Sequence, residues 1–233
     1  MPDRSPVGRG VARGFSIGLD VALFSPRAHQ LAVLLVPVVD QRSARTGRAR
    51  WALPSDSLRS DESLDEAASR IARGSLGAAP ALLEQAIAHG GARRANDGPD
   101  VRIAYFGLVP DSGAAPRDAS WVSIAELPPL PPRQRDEIDA SIAEMRAQVD
   151  QQPIAFRLLP ASFTLTELQS VYELLLGRRL HKASFRRALH ASALVEATDE
   201  WRSEGRGRPA QLFRYAPPRR KRQRRGIRFD LLT

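Results

Sequence analysis

The chain has no cysteine, which excludes a disulfide scaffold, an iron–sulfur cluster and a cysteine zinc site. Long apolar runs are missing too. A stretch such as Leu31 to Val39 holds a proline and falls far short of the roughly 20 residues that span a bilayer. The arginines between Met1 and Gly14 precede no apolar signal core, so no signal peptide is expected, and a cytoplasmic location is. The four histidines, His29, His89, His181 and His190, are scattered without metal-ligand spacing. Lysine is nearly absent: of 35 basic residues, only Lys182 and Lys221 are lysine. Such an arginine bias can follow genome base composition and carries no chemical reading. There is no internal repeat.

Against these absences stand 233 residues, 42% of them hydrophobic, enough for a packed core in one large or two ordinary domains. The charge is unevenly placed. Residues 1–152 carry 18 basic and 19 acidic side chains, whereas residues 153–233 carry 17 basic and 7 acidic. The whole excess lies in the last third, which suits a nucleic acid or an anionic membrane as partner for that part.

The N-terminal part alternates strand-like and helix-like segments. FSIGLDVALF at 15–24 and QLAVLLVPVV at 30–39 read as a strand pair around a Ser-Pro-Arg turn. A polar loop at 40–50 leads to a short strand, Trp51-Ala52-Leu53, stopped by Pro54. Leu64, Ala67, Ala68 and Ile71 fall at helical spacing within 62–73, with Ser60 or Asp61 expected as N-cap. Ala81 to Ala88 reads as a second helix ended by Gly90-Gly91. VRIAYFGLV at 101–109 and Trp121-Val122 read as strands. After the proline brake at 128–132, Arg133 to Val149 reads as an amphipathic helix presenting Ile138, Ile142, Met145 and Val149. The polar junction Asp150 to Pro153 is the expected domain boundary.

The segment WALPSDSLRSDESLDEAASRIARGSLGA at 51–78 resembles a Nudix box, the pattern G-x5-E-x7-R-E-U-x-E-E-x-G-U with U a bulky apolar residue. Glu62, Arg70 and Gly77 match the first glutamate, the arginine and the late glycine. The resemblance extends over about residues 13–149. It implies an α/β/α sandwich and, in intact members, glutamates that hold divalent cations. Here the first glycine is Asp56, the glutamate after the arginine is Ile71, the paired glutamates are Gly74 and Ser75, and the last apolar residue is only Ala78. Magnesium needs several oxygen ligands in near-octahedral geometry. Without it nothing polarises a diphosphate or generates a nucleophilic water. No catalytic residue, metal or cofactor is therefore assigned. Two readings of the box stand side by side: a relic kept for packing and dimerisation, or a module that still holds a nucleotide diphosphate without cutting it. In the second, Arg59 and Arg70 supply charge-assisted bonds; Arg70 serves equally well as a structural bridge.

The C-terminal part has the order of a winged helix-turn-helix. Leu165, Leu168, Val171, Tyr172 and Leu175 form one helical stripe. Thr164 stands three residues before Glu167 as a capping box, and Gly177 is the stop. A second helix from Lys182 to Ala191 buries Phe185, Ala188 and Leu189. Strands at Leu194-Val195 and Leu212 to Tyr215 then flank a polar loop, Asp199 to Pro209. The second helix is the expected reader, with Lys182, Ser184, Arg186 and Arg187 on polar positions; an arginine pairs with guanine O6 and N7 in the major groove. Arg206 and Arg208 lie at the glycine-rich wing tip, suited to a minor groove or to phosphate. Arg219 and Arg220 open the tail RRKRQRR, which adds sequence-independent phosphate attraction. With Thr164 at the start of the first helix, these residues form the expected DNA-binding set. Taken singly, each arginine is also readable as solvated surface charge.

IAFRLLPASFTLTELQSVYELLLGRRLHKASFRRAL followed by GRGRPAQLFRY resembles the C-terminal domain of Nudix-related transcriptional regulators, the group that includes NrtR-type repressors of NAD metabolism. The resemblance implies a dimer that senses ADP-ribose or a related nucleotide and releases a palindromic double-stranded operator when the effector binds. The expected fold class is α+β: a Nudix-like effector-sensing and dimerisation domain at 13–150, a winged helix-turn-helix at 153–216, and a basic tail at 217–233. A Nudix-type nucleoside-diphosphate hydrolase and a non-specific nucleic-acid-binding protein remain the alternatives. No membrane partner is expected.

Overall fold

Apolar runs that continue without alternation suit strands covered on both faces, and β1 (Ile17–Arg27) is such a strand: Gly18 to Ser25 are all buried. It lies inside a mixed sheet of order β3-β2-β1-β6-β5, with β4 beside β1 and β7 beside β2. Those strands are β2 (Gln30–Val38), β3 (Arg50–Ala52), β4 (Ser55–Ser57), β5 (Leu82–Gly90), β6 (Val101–Leu108) and β7 (Ser120–Ser123). The computed structural model describes residues 16–38, 50–90, 101–111, 116, 118–203 and 209–216.

The side-chain alternation of β1 and β6 sorts the interior into two layers. Leu19, Val21, Leu23, Ile103 and Tyr105 pack on Ala67, Ala68, Ile71 and Ala72 of helix α1 (Leu64–Leu76). Ala22, Phe24, Phe106 and Leu108 face the other way, onto Ile138, Ile142, Met145 and Val149 of helix α2 (Pro132–Val149). The spacing of that apolar stripe is borne out, and Pro132 starts the helix at the position where a missing N–H costs nothing. The second layer does not stop at α2. The same cluster continues through Ile154 and Leu158 of a 3-10 turn into Leu168, Val171, Tyr172 and Leu175 of α3 (Leu165–Leu176) and Phe185 and Leu189 of α4 (Lys182–Ser192). The two parts of the chain therefore share one core. A ribbon of β8 (Val195–Arg202) and β9 (Ala210–Tyr215) completes the chain.

Four local expectations are corrected. Ala81 to Ala88 is not helical: Leu82–Gly90 is an edge strand, antiparallel to β6 from Leu82↔Leu108 to Gly90↔Val101. The first hairpin turns at Ala28-His29, both at positive φ, rather than at Ser-Pro-Arg, which lies within β1. The N-cap of α1 is Ser63, not Ser60 or Asp61. Finally, Asp199 to Arg202 belong to β8 rather than to a loop. The register slips between Ala197 and Trp201, where Thr198 Oγ1 donates to Leu212 O at 2.9 Å and stitches the irregular stretch to β9.

A buried polar group fastens α2 to the sheet. Asp20, fully enclosed, accepts from Arg102 of β6 at 2.8 Å and from Gln134 of α2 at 3.1 Å. Gln134 in turn accepts from the backbone N–H of Leu53 at 3.0 Å.

Candidate functional site

The start of the box is a closed set of ion pairs. Ser63 and Glu66 form a reciprocal capping box on α1. Arg70 donates to both oxygens of Glu62, from Nε at 2.9 Å and Nη2 at 2.6 Å, the two-pronged geometry that makes arginine–carboxylate pairs strong. Its Nη1 donates to Asp56 at 2.5 Å and its Nη2 also to Ser57 O at 3.1 Å. The Arg70 bonds hold the Glu62 carboxyl at about 2, well below the usual carboxylate range. Asp56 is lowered by the Ser57 N–H and, beyond the opposing effect of burial, by Arg70. Glu66 is lowered by its bonds to Ser63.

These groups do not fit a cation cluster. Glu62 and Asp56 are turned onto Arg70, and Glu66 onto the helix start. Ile71 is buried in the layer beneath the sheet, and Gly74 has no side chain to offer. Among the described residues no group of three or more His, Cys, Asp or Glu is placed to hold a metal ion.

Where the paired glutamates of an intact box would stand there is instead a cavity of about 630 Å³. It is walled by Gly74 to Gly77 at the end of α1, by Val36 and Pro37 of β2, and by Pro116, Asp118 and Ala119. The volume is in the range of ordinary small-molecule sites. Neither Arg59 nor Arg70 lines it. Arg59 is exposed, with its backbone N–H on Glu62, and Arg70 belongs to the clamp.

In the C-terminal part α3 is framed by the capping box of Thr164 and Glu167 and by Gly177 in the left-handed conformation. Thr164 is only 7% exposed, and its hydroxyl accepts the Glu167 N–H at 3.1 Å. Glu167 is also held by Arg202 of β8 at 2.6 Å, which clips the ribbon to the helix start. Sequence reading missed this clip, because the two residues are 35 apart and both look like surface charge. Aromatic contacts back it: Phe156 lies 4.7 Å from Tyr215 and 5.7 Å from Phe163, and Phe163 pairs with Phe213 through both backbone bonds.

Helix α4 presents the expected reader residues. Phe185 and Leu189 are buried, while Lys182, Arg186 and Arg187 are exposed and make no ion pair among the described residues. Ser184 is half-buried, 3.3 Å from the ring of His181. The arginines are thus an open row of donors on one short helix. Arg206, Arg208, Arg219 and Arg220 lie outside the described residues.

A sheet flanked by α1 and α2, with a disarmed Nudix box, joined through one core to a helix pair and a two-stranded wing, defines a Nudix-related winged-helix regulator. The comparisons agree. The family model described as the NrtR DNA-binding winged helix domain matches residues 155–215. The curated protein described as ADPR responsive transcriptional repressor NtrR, from Acinetobacter baylyi, is 33% identical over 207 residues, covering 85% of this chain and 81% of that protein. The chain belongs to the NrtR family. Shewanella oneidensis NrtR, solved in complex with a 27mer DNA, is 29% identical, with 86% of this chain and 93% of that chain covered and a TM-score of 0.69. A MutT/nudix family protein from Enterococcus faecalis shares the fold at 19% identity, covering 88% of this chain and 90% of its own, with a TM-score of 0.68.

Proposed function

We propose that this chain is a DNA-binding transcriptional repressor that senses ADP-ribose or a related nucleotide through its Nudix-fold part without hydrolysing it. One contrast carries the reading: the box carboxylates are spent on Arg70 and the helix cap, while Arg186 and Arg187 of α4 make no ion pair among the described residues. The ADPR responsiveness of the Acinetobacter relative and the DNA complex of the Shewanella one support it.

The working form is a two-fold dimer built through residues 1–152 and seated on a palindromic operator. The near-neutral charge of that part favours self-association over contact between two strongly basic segments. The domains are assigned as 13–150, 153–216 and the tail 217–233. Lys182, Ser184, Arg186 and Arg187 read bases. Arg206, Arg208, Arg219 and Arg220 hold phosphate or a groove edge. Thr164 acts by shaping the start of α3. Of the effector-site pair, Arg59 is the open one, and Arg70 supports the box from within. No helix among the described residues is long and apolar enough to cross a membrane, in keeping with a cytoplasmic place beside the DNA.

The test is a titration of selected operator DNA with and without ADP-ribose, alongside a phosphate-release assay with magnesium or manganese. Release of DNA without turnover is expected. Magnesium-dependent turnover that disappears in Glu62→Gln would restore the hydrolase reading. Equal affinity for operator and random DNA would favour a non-specific binder.

A further inference from the structure

Helix α2 is tied at both ends. Near its start, Gln134 accepts from Leu53 N–H at 3.0 Å and donates to buried Asp20 at 3.1 Å. Leu53 belongs to the segment that runs through β4 into the Asp56–Glu62–Arg70 clamp. About three turns further along, Arg146 Nε donates to the backbone carbonyl of Leu175 at 3.3 Å. That carbonyl is in the last turn of α3, where intrahelical partners run out and a cation suits the helix dipole. The same guanidinium lies against Gly177, the left-handed residue that opens the turn into α4, and a Cβ there would overlap it. The two attachments lie about 18 Å apart on one continuous helix of 18 residues.

We propose that Arg146 is the positioning residue through which ligand occupancy of the Nudix-fold part alters operator binding. It ties the α3–α4 turn, and with it the reader helix α4, to α2. The inference rests on the effector-responsive reading above. A ligand shifts affinity at a second site only through contacts that differ between two states. On this proposal the Arg146 contact, which joins α2 to the last turn of α3, is the one that differs between the two states. Its role is not core packing: Arg146 is exposed, while Met145 and Val149 beside it carry the burial. Removing it leaves no cavity.

The experiment uses the full chain and a duplex selected by the wild type from random DNA. Operator Kd is measured with and without saturating ADP-ribose for wild type, Arg146→Ala and Arg146→Lys, and ADP-ribose affinity is measured by calorimetry on each DNA-free protein. Coupling between two sites is commonly about 5–150-fold, and the wild-type ratio should fall in that range. In Arg146→Ala it should collapse to about twofold or less, with ADP-ribose affinity and thermal midpoint kept. Arg146→Lys still donates to Leu175 O but does not lie flat on Gly177, so its ratio should fall between the two. Gly177→Ala should disturb the ratio less in the Arg146→Ala background than in wild type, a non-additivity that reports the contact itself. A wild type whose operator binding ignores ADP-ribose overturns the effector reading and this inference with it. A responsive wild type matched by an equally responsive Arg146→Ala overturns the inference alone and leaves the effector reading standing.

Discussion

Glu137 sits on the enclosed side of α2, with one carboxylate oxygen held by Arg133 at 3.1 Å and the other without a hydrogen-bond partner among the described residues. Burial, reinforced by the nearby Asp20 carboxylate, pushes its pKa up to about 7 against the opposing pull of Arg133 and Arg102. An acid raised in the folded state keeps its proton there after the unfolded chain has lost it. Stability linked to Glu137 is therefore full below about pH 4.5 and declines as pH rises through about 7. Glu137→Gln should remove that slope and gain on wild type at pH 8 by up to about 3 kcal/mol, read by urea unfolding at pH 5 and pH 8. Identical slopes in the two proteins would count against this account. Gly74 offers a second test at the same scale. No heavy atom of the described residues lies within 4 Å of where its Cβ would stand, so Gly74→Glu fits and returns a carboxylate to the cavity wall. With the diphosphate in this cavity rather than beside Arg59, a like charge about 4 Å away costs on the order of 1 kcal/mol even in water, so ADP-ribose affinity should drop about fivefold or more at low salt while operator affinity holds. Unchanged ADP-ribose affinity would place the ligand outside this cavity.

At the scale of elements, α4 is where function is most exposed to substitution. Arg186→Ala or Arg187→Ala should each cost about 1–3 kcal/mol of affinity for the selected operator if the residue pairs with guanine, and little on random DNA. A uniform loss on both DNAs would make these residues phosphate anchors instead. The elements also show what the sequence made legible. The α2 stripe and both caps of α3 were readable because each is local: a four-three-four apolar spacing, a Thr-x-x-Glu start, a glycine end. Ser63-x-x-Glu66 is the same start signal for α1, but Ser60 and Asp61 just upstream are equally good capping residue types, and only the fold selects Ser63. The misreading of β5 has a different origin. Leu, Glu, Gln and Ala favour helices, and a register shift between Gln85 and Ile87 breaks the period-two pattern that marks a strand. Only pairing with β6 across the sheet decides the matter. The turn at Ala28-His29 was unreadable for a related reason, since positive φ at both positions is usually signalled by glycine or asparagine. At the candidate site, the missing carboxylates of the box were plain in the sequence. The commitment of those that remain to Arg70 was not, because it depends on distances between residues 8 and 14 apart.

Across the whole molecule, charge and packing divide the labour differently. The core runs unbroken from the sheet to α4, so the two parts are mechanically joined, yet the net charge falls almost entirely beyond residue 152. The basic excess is thus confined to the last third of the sequence, while the first 152 residues are close to neutral. The tail after Pro218 adds arginines and a lysine beyond the matched winged helix domain at 155–215, so it should contribute attraction but no sequence preference. Truncation after Pro218 should weaken binding to selected and random DNA alike and flatten the salt dependence. The log–log slope should lose roughly 0.9 for each phosphate contact removed. The α4 variants should leave that slope nearly intact unless they too touch phosphate. Titrating both DNAs at several salt concentrations separates the two classes in one data set: a tail deletion that lowers specificity, together with α4 variants that lose affinity uniformly, would mean that reader and anchor are assigned the wrong way round.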